Sequence, residues 1–204
     1  MIRLLNEHLK GLDLFNLFKE IEPAVYNSKT VKALAQKVSE DNAREMLTPG
    51  ILMAEDVLKS LVIFSVDRQI RISPIDRYHQ MWGSHLEDGM ADISICGSYK
   101  FEWTPDERRG KYYWGKIVGK EPNSKKDLER IIVEDFRRRG WYRKYKLKDL
   151  GDYWQFSLNK ESNSNDDFNY IAEYSFIVDI SKYSPGSAEI SFCLEFSLDW
   201  DKIS

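Results

Sequence analysis

The chain has 204 residues, 42% hydrophobic and 31% charged, with a formal net charge of −3. That length can bury a core without staples, and that composition excludes wholesale disorder. No run of about 18 apolar residues occurs, which excludes a membrane-spanning helix, and the stretch Met1 to His8 lacks the apolar region of a signal peptide.

In chain order, Ile2, Leu5, Leu9 and Leu12 recur at helical spacing, and Leu14, Phe15, Leu17, Phe18 and Ile21 continue the pattern until Pro23. Ser28 or Thr30 caps a second helix, whose inner face carries Val31, Leu34, Ala35 and Val38. The polar residues 40–48 read as a connection. Thr48-Pro49-Gly50 then reads as a helix entry, with Thr48 as cap and Pro49 at the first helical position. The apolar run Leu61 to Val66 fits either the end of that helix or a buried strand. After a short strand at Gln69 to Ile72, Ser73-Pro74-Ile75-Asp76 predicts another helix start, running to about Trp82 and stopping at Gly83.

His85 to Met90 reads as a loop. Ile93, Ile95, Tyr99, Phe101 and Trp103 then alternate with polar residues, as in a strand with one buried face. Gly97 stands where an apolar side chain is due, which predicts a bulge or a close backbone approach. Pro105 to Gly110 reads as a turn, and the aromatic-rich Lys111 to Val118 as the partner strand.

Ser124 and Asp127 open the clearest helix. Leu128, Ile131, Ile132 and Phe136 mark its inner edge, with Asp135 as the exception, and Gly140 closes it. A strand follows at Tyr153 to Leu158, with Trp154, Phe156 and Leu158 inward. The most regular pattern comes last. Tyr170, Ala172, Tyr174, Phe176, Val178 and Ile180 alternate with polar residues, as do Ala188, Ile190, Phe192, Leu194, Phe196, Leu198 and Trp200. Ser184-Pro185-Gly186-Ser187 lies between them as a turn, making a long hairpin.

The expected fold is therefore α+β. It has an antiparallel sheet of about five strands, in the order strand-strand-helix-strand-strand-strand, with N-terminal helices packed on or beside it. Residues 1–67 form a helical N-terminal subdomain and 68–204 a sheet domain, or the two make one continuous domain. Cys96 and Cys193 fall on the polar sides of their strands and read as free thiols of a reducing compartment, so the cytoplasm is the expected location.

Charge is unevenly distributed. Residues 100–150 carry a net +7 and residues 151–204 a net −7. The two segments either neutralise each other within the fold or present a basic surface to a partner. The basic residues concentrate between positions 137 and 148, where Arg137, Arg138, Arg139, Arg143, Lys144, Lys146 and Lys148 are interleaved with Trp141, Tyr142 and Tyr145. Guanidinium forks bind phosphates or carboxylates, and the aromatic rings could stack on bases. If Val178 paired with Ile190, Asp179 would face Glu189 and Glu173 would face Glu195. Opposed like charges are destabilising, so either the register is shifted by two or something positive covers that face.

Two weaker constellations remain. His79, His85, Glu87, Asp88 and Asp92 include potential metal ligands, but the histidine spacing matches no metal motif and the group reads as a solvated loop. Asp92-Ile93-Ser94-Ile95 followed by Lys100-Phe101-Glu102 resembles the acidic pair and lysine of the PD-(D/E)xK nucleases. There an Asp opens one strand and a Glu/Asp-x-Lys lies on the next. The resemblance implies a metal-dependent nuclease using Asp92 and Glu102. It departs from the pattern in that Lys100 precedes Glu102 and Thr104 stands where the lysine belongs. No cofactor, metal site or catalytic residue is expected. The first functional reading is a cytosolic, non-enzymatic binding protein with a protein partner; the alternatives are a nucleic-acid binder using residues 137–148 or the nuclease.

Overall fold

The structure is a computed structural model that describes residues 20–68, 70–80, 84–103, 122–140, 145–151, 153–162 and 168–201, with backbone alone at 77–80. The first predicted helix, the strand at Lys111 to Val118 with its turn, and Trp141 to Lys144 lie outside the described residues. Among the described residues the helices are α1 (Ile21–Asn27), α2 (Lys29–Val38), α3 (Glu40–Asp67) and α4 (Lys125–Arg139). The strands are β1 (Arg71–Gln80), β2 (His85–Leu86), β3 (Met90–Glu102), β4 (Lys146–Asp149), β5 (Tyr153–Glu161), β6 (Tyr170–Ser184) and β7 (Ser187–Trp200). They form one sheet in the order β1-β3-β7-β6-β5-β4, with β2 on β3, and every pairing is antiparallel. The sheet thus has seven strands where about five are expected; β2 and β4 are too short and too polar to show a period.

The terminal hairpin sits at the centre. All thirteen of its predicted inward residues, from Tyr170 to Ile180 and Ala188 to Trp200, are buried. Gly186, at φ 84, makes the turn. The register is shifted by two from the pairing of Val178 with Ile190. Val178 faces Phe192, Asp179 faces Ser191 and Glu173 faces Ser197, while Glu189 lies between Lys182 and Lys100. A shift of two preserves the faces and removes the opposed carboxylates.

The helices cover the apolar face of the sheet, and one cluster of buried side chains runs from Ile21 and Val25 through α3 to β7. Caps behave as local chemistry dictates. Ser28 Oγ accepts from Val31 N, Ser124 Oγ accepts from Asp127 N, and Gly140 ends α4 in the left-handed region.

Three proline signals mislead. Pro23 does not end a helix; it sits in the first turn of α1, where no N–H is needed. Pro49 lies inside α3, and the helix begins at the Ser39 cap rather than at Thr48. Residues 40–48 are helical because Ala43, Met46 and Leu47 bury on the same face as Gly50, Ile51 and Ala54. Ser73-Pro74-Ile75-Asp76 is likewise not a helix start but part of strand β1. Among the described residues β1 pairs only with β3, and a proline is tolerated on such an edge. Register shifts on either side of Asp76 absorb the irregularity. The second of these lies opposite Gly97, on the neighbouring strand, while β3 keeps its register with β7 there. The run Leu61 to Val66 is helix.

Candidate functional site

Among the described residues of the predicted basic stretch, the side chains point in different directions. Arg138 and Arg139 turn back onto Asp135: Arg138 Nη2 reaches Oδ1 at 2.5 Å and Arg139 Nε reaches Oδ2 at 2.5 Å. Arg139 Nη2 also binds Asp67 Oδ2 at 2.9 Å, at the end of α3. Beneath them Arg68 Nη2 approaches Asp135 Oδ1 at 3.3 Å, with the Arg68 side chain 0% and the Asp135 side chain 1% exposed. The Arg68 guanidinium lies 3.9 Å from the Phe64 ring centroid and donates to the Phe64 carbonyl. Burial alone would raise the Asp135 carboxyl, but the hydrogen bond from Arg139 and the charges of Arg139 and Arg68 hold it below the ordinary aspartate value. Arg68 is lowered instead, because desolvation outweighs the attraction of Asp135 and Asp67.

Tyr145 is buried and donates its hydroxyl to Asp56 Oδ2 at 2.6 Å, so its ring does not face solvent. Arg137 remains on the outer face of α4, beside an open groove that Asp149 and Trp154 also line. Lys146 and Lys148 lie on β4 and are exposed. Trp141, Tyr142, Arg143 and Lys144 lie outside the described residues. Arg138 and Arg139 are thus neutralised by Asp135 and Asp67, not by the acidic segment 151–204; Lys125, which meets Asp179 at 3.5 Å, does reach that segment.

The second feature is the open face of the sheet. Register carries Lys146, Ser157, Ser175, Glu195 and Ser94 in a row as direct partners on β4, β5, β6, β7 and β3. Four strand spacings make that row roughly 19 Å long. A parallel row holds Asn159, Glu173, Ser197 and Asp92, with Ser197 Oγ donating to Asp92 Oδ1 at 2.8 Å. Lys148, Gln155, Ile177, Cys193 and Cys96 form a third. Gln155 Nε2 donates to Ser175 Oγ at 2.8 Å, tying the first and third rows together.

The first two rows, with Lys148 and Gln155 of the third, floor an open recess of about 760 Å³. Carboxylates dominate it: Glu173, Glu195 and Asp92 against Lys146 and Lys148 at one rim. Glu195, in the middle row, is half-buried, and burial pushes its carboxyl above the ordinary glutamate value.

Cys96 and Cys193 are not free thiols. They are direct cross-strand partners on β3 and β7, Cα atoms 4.1 Å apart, joined as a disulfide. Alternation places both on the polar face, but only register could show that they meet.

The two acids of the nuclease resemblance are not brought together. Asp92 and Glu102 stand at opposite ends of β3, ten residues or roughly 33 Å apart. Glu102 instead binds Lys100 Nζ at 2.7 Å. Of the histidine group, His85 pairs with Glu87 at 2.9 Å and Asp88 with Lys37 at 2.5 Å. Among the described residues no group of three or more His, Cys, Asp or Glu is placed to hold a metal ion. No described helix is long and apolar enough to cross a membrane.

Sequence reasoning missed Arg68 and Asp67, which complete the buried ion cluster, and Glu195, which centres the recess. Asp135 at an apolar position of its helix was the one visible signal for the cluster. The recess had only the opposed carboxylates of an unshifted hairpin as a signal, because it depends on the pairing of five strands.

No protein-family model matches the chain, and no curated protein does. Among solved structures, LpqN, involved in cell envelope biogenesis of Mycobacterium tuberculosis, is similar at 9% identity with a TM-score of 0.26. The match covers 68% of this chain and 83% of that one, and a likeness this slight carries no argument about fold or function.

Proposed function

We propose that the protein is a non-enzymatic binding protein whose open sheet face receives a cationic segment of a protein partner. The observation that carries this reading is the half-buried Glu195 at the centre of a serine-lined recess, flanked by Glu173 and Asp92. A lysine or arginine seated there would restore the charge partner that burial withholds, and the surrounding hydroxyls would accept its remaining N–H groups. Nucleic acid is the weaker reading, since Arg138 and Arg139 already hold carboxylates and the recess repels phosphate. The separation of Asp92 from Glu102 weighs against the nuclease. The cytoplasmic setting belongs to this proposal, and it requires that the Cys96–Cys193 bond be reducible there.

The test is a titration of the labelled protein with a lysine-rich peptide and, separately, with a DNA oligonucleotide, at two salt concentrations. The reading expects resonance shifts at Ser94, Ser157, Ser175 and Glu195 with the peptide, weakened by salt and by Glu195→Gln. Shifts produced by DNA around Arg137 and Lys148 would put the nucleic-acid reading first. A peptide that moves none of the recess resonances would remove the proposal.

A further inference from the structure

We propose that the Cys96–Cys193 bond is a reversible two-electron redox site on the open face, opened by a dithiol without unfolding the sheet.

The argument begins with register. β3 and β7 pair without a shift from Met90 opposite Asp199 to Glu102 opposite Ser187. The cysteines form the middle pair of this ladder, with six pairs on either side. Both strands have a further neighbour, β1 or β6, and both bury their inner faces. The strands therefore hold the two sulfur atoms adjacent whether or not they are bonded. Disulfides that stabilise small folds do so by closing loops of otherwise unconstrained chain. Here the backbone at the bond is already closed by the ladder in the folded state, so reduction removes a restraint on the unfolded chain and no native contact beyond the bond itself.

Access is the second observation. Both cysteines are partly exposed, and their same-face neighbours along the strands are Ser94, Ser98, Ser191 and the half-buried Glu195. Short hydroxyl side chains leave room for an attacking thiolate, which needs an open line to one sulfur. A bond placed for structure alone would gain by facing the helices, where Ile95 and Leu194 are buried.

The chemistry is thiol–disulfide exchange. A thiolate of the dithiol attacks one cysteine sulfur, the S–S bond breaks, and the other cysteine leaves as a thiolate and takes up a proton. The second thiol of the donor then attacks the mixed disulfide, releases the remaining cysteine and closes the donor's own disulfide. Two electrons and two protons enter the protein, and a disulfide oxidant reverses the step. The inference is independent of what the face binds.

The experiment uses the full chain, with dithiothreitol as the probe. Native protein is treated with iodoacetamide before and after reduction, and its mass and circular dichroism are recorded. The expected result is no alkylation before reduction and alkylation of both cysteines afterwards in native buffer. The far- and near-ultraviolet spectra are unchanged, and the original mass returns when glutathione disulfide replaces the reductant. The melting temperature should fall by roughly 5–20 °C on reduction while the protein stays folded at 25 °C. Alkylation without reductant would show that no bond forms, and reduction only in denaturant would show an inaccessible one. Loss of the native spectra on reduction would show a staple. The Cys96→Ser/Cys193→Ser double variant gives an independent check: a folded variant with the reduced protein's melting temperature supports the proposal, and an unfolded one overturns it.

Discussion

The hydroxyl of Tyr174, on β6, donates to the main-chain carbonyl of Met46, on α3, at 2.6 Å, with both residues fully buried. The contact falls where Pro49 interrupts the helix. Proline withdraws the donor that the Glu45 carbonyl would use. On either side of Glu45, a side-chain hydroxyl adds a donor. Thr48 Oγ1 donates to the Arg44 carbonyl at 2.7 Å, and Tyr174 serves Met46. Burial, with smaller contributions from Tyr170 and Glu45, pushes the Tyr174 phenol well above its ordinary value, so it keeps its proton wherever the protein is folded.

Tyr174→Phe tests this contact. It keeps the ring in place and removes a buried hydrogen bond, which should cost about 0.5–1.5 kcal/mol. Urea unfolding should show a lower midpoint with an unchanged slope. An unaltered midpoint would mean that Met46 is fully served within the helix.

Gly50 follows directly. A Cβ built there would lie 2.6 Å from Tyr174 Cδ1 and 2.8 Å from Phe196 Cε1. Both rings are buried, so neither can swing away. Alanine would gain up to about 1 kcal/mol of helix propensity but force overpacking worth about 1–3 kcal/mol. Gly50→Ala should therefore destabilise, against the trend for exposed helical glycines. A raised melting temperature would show that the helix has room to lift from the sheet.

Asp135 holds three arginines, one of them wholly buried. Asp135→Ala leaves Arg68 without its carboxylate and should cost about 3–5 kcal/mol. The sign with pH is set by a carboxyl held below its ordinary value. Its stabilising contribution is fully present at neutral pH, above the unfolded-state value, and is lost as pH falls through the lower folded-state value. Wild type should lose its advantage over Asp135→Ala only in strong acid. Paired thermal melts from neutral pH downward would check it, and a gap that closes well above the ordinary aspartate range would contradict the assignment.

Glu195 carries the opposite sign. Burial raises its folded-state value, so stability is favoured below the unfolded-state value and lost as pH rises through the folded one. At neutral pH, Glu195→Gln should melt higher than wild type by a small margin, and the margin should vanish in acid. A neutral-pH variant less stable than wild type would mean that the carboxylate already has a cation, and the recess would lose its proposed function.

Legibility in the sequence varied with the range of the physics involved. The cap at Ser124 and the αL glycine at 140 are contests within one turn and were readable residue by residue, while the second helix's cap was narrowed to Ser28 or Thr30, of which the structure uses Ser28. The burial of Phe176, Phe192 and Phe196 was readable too, because alternation needs only a strand with one wet face. At Pro49 and Pro74 the local signal was real but lost. Helix α3 runs through its proline because the apolar face on either side packs on the sheet. β1 forms because β3 has an edge to satisfy. Sums of packing over many residues exceed the few kcal/mol that one proline costs.

The amino-acid sequence by itself determined the class of the fold, the central hairpin and its inner face, and the ends of two helices. Tertiary structure alone decided the hairpin register and the meeting of Cys96 with Cys193. It also decided the burial of Arg68 against Asp135, the reach of Arg139 to Asp67, and the row from Lys146 to Ser94. The reason is a matter of degeneracy. A shift of two residues leaves every apolar side chain on its own face, so periodicity cannot choose among registers, and the choice falls to pairings such as Lys182 with Glu189 between residues on different strands.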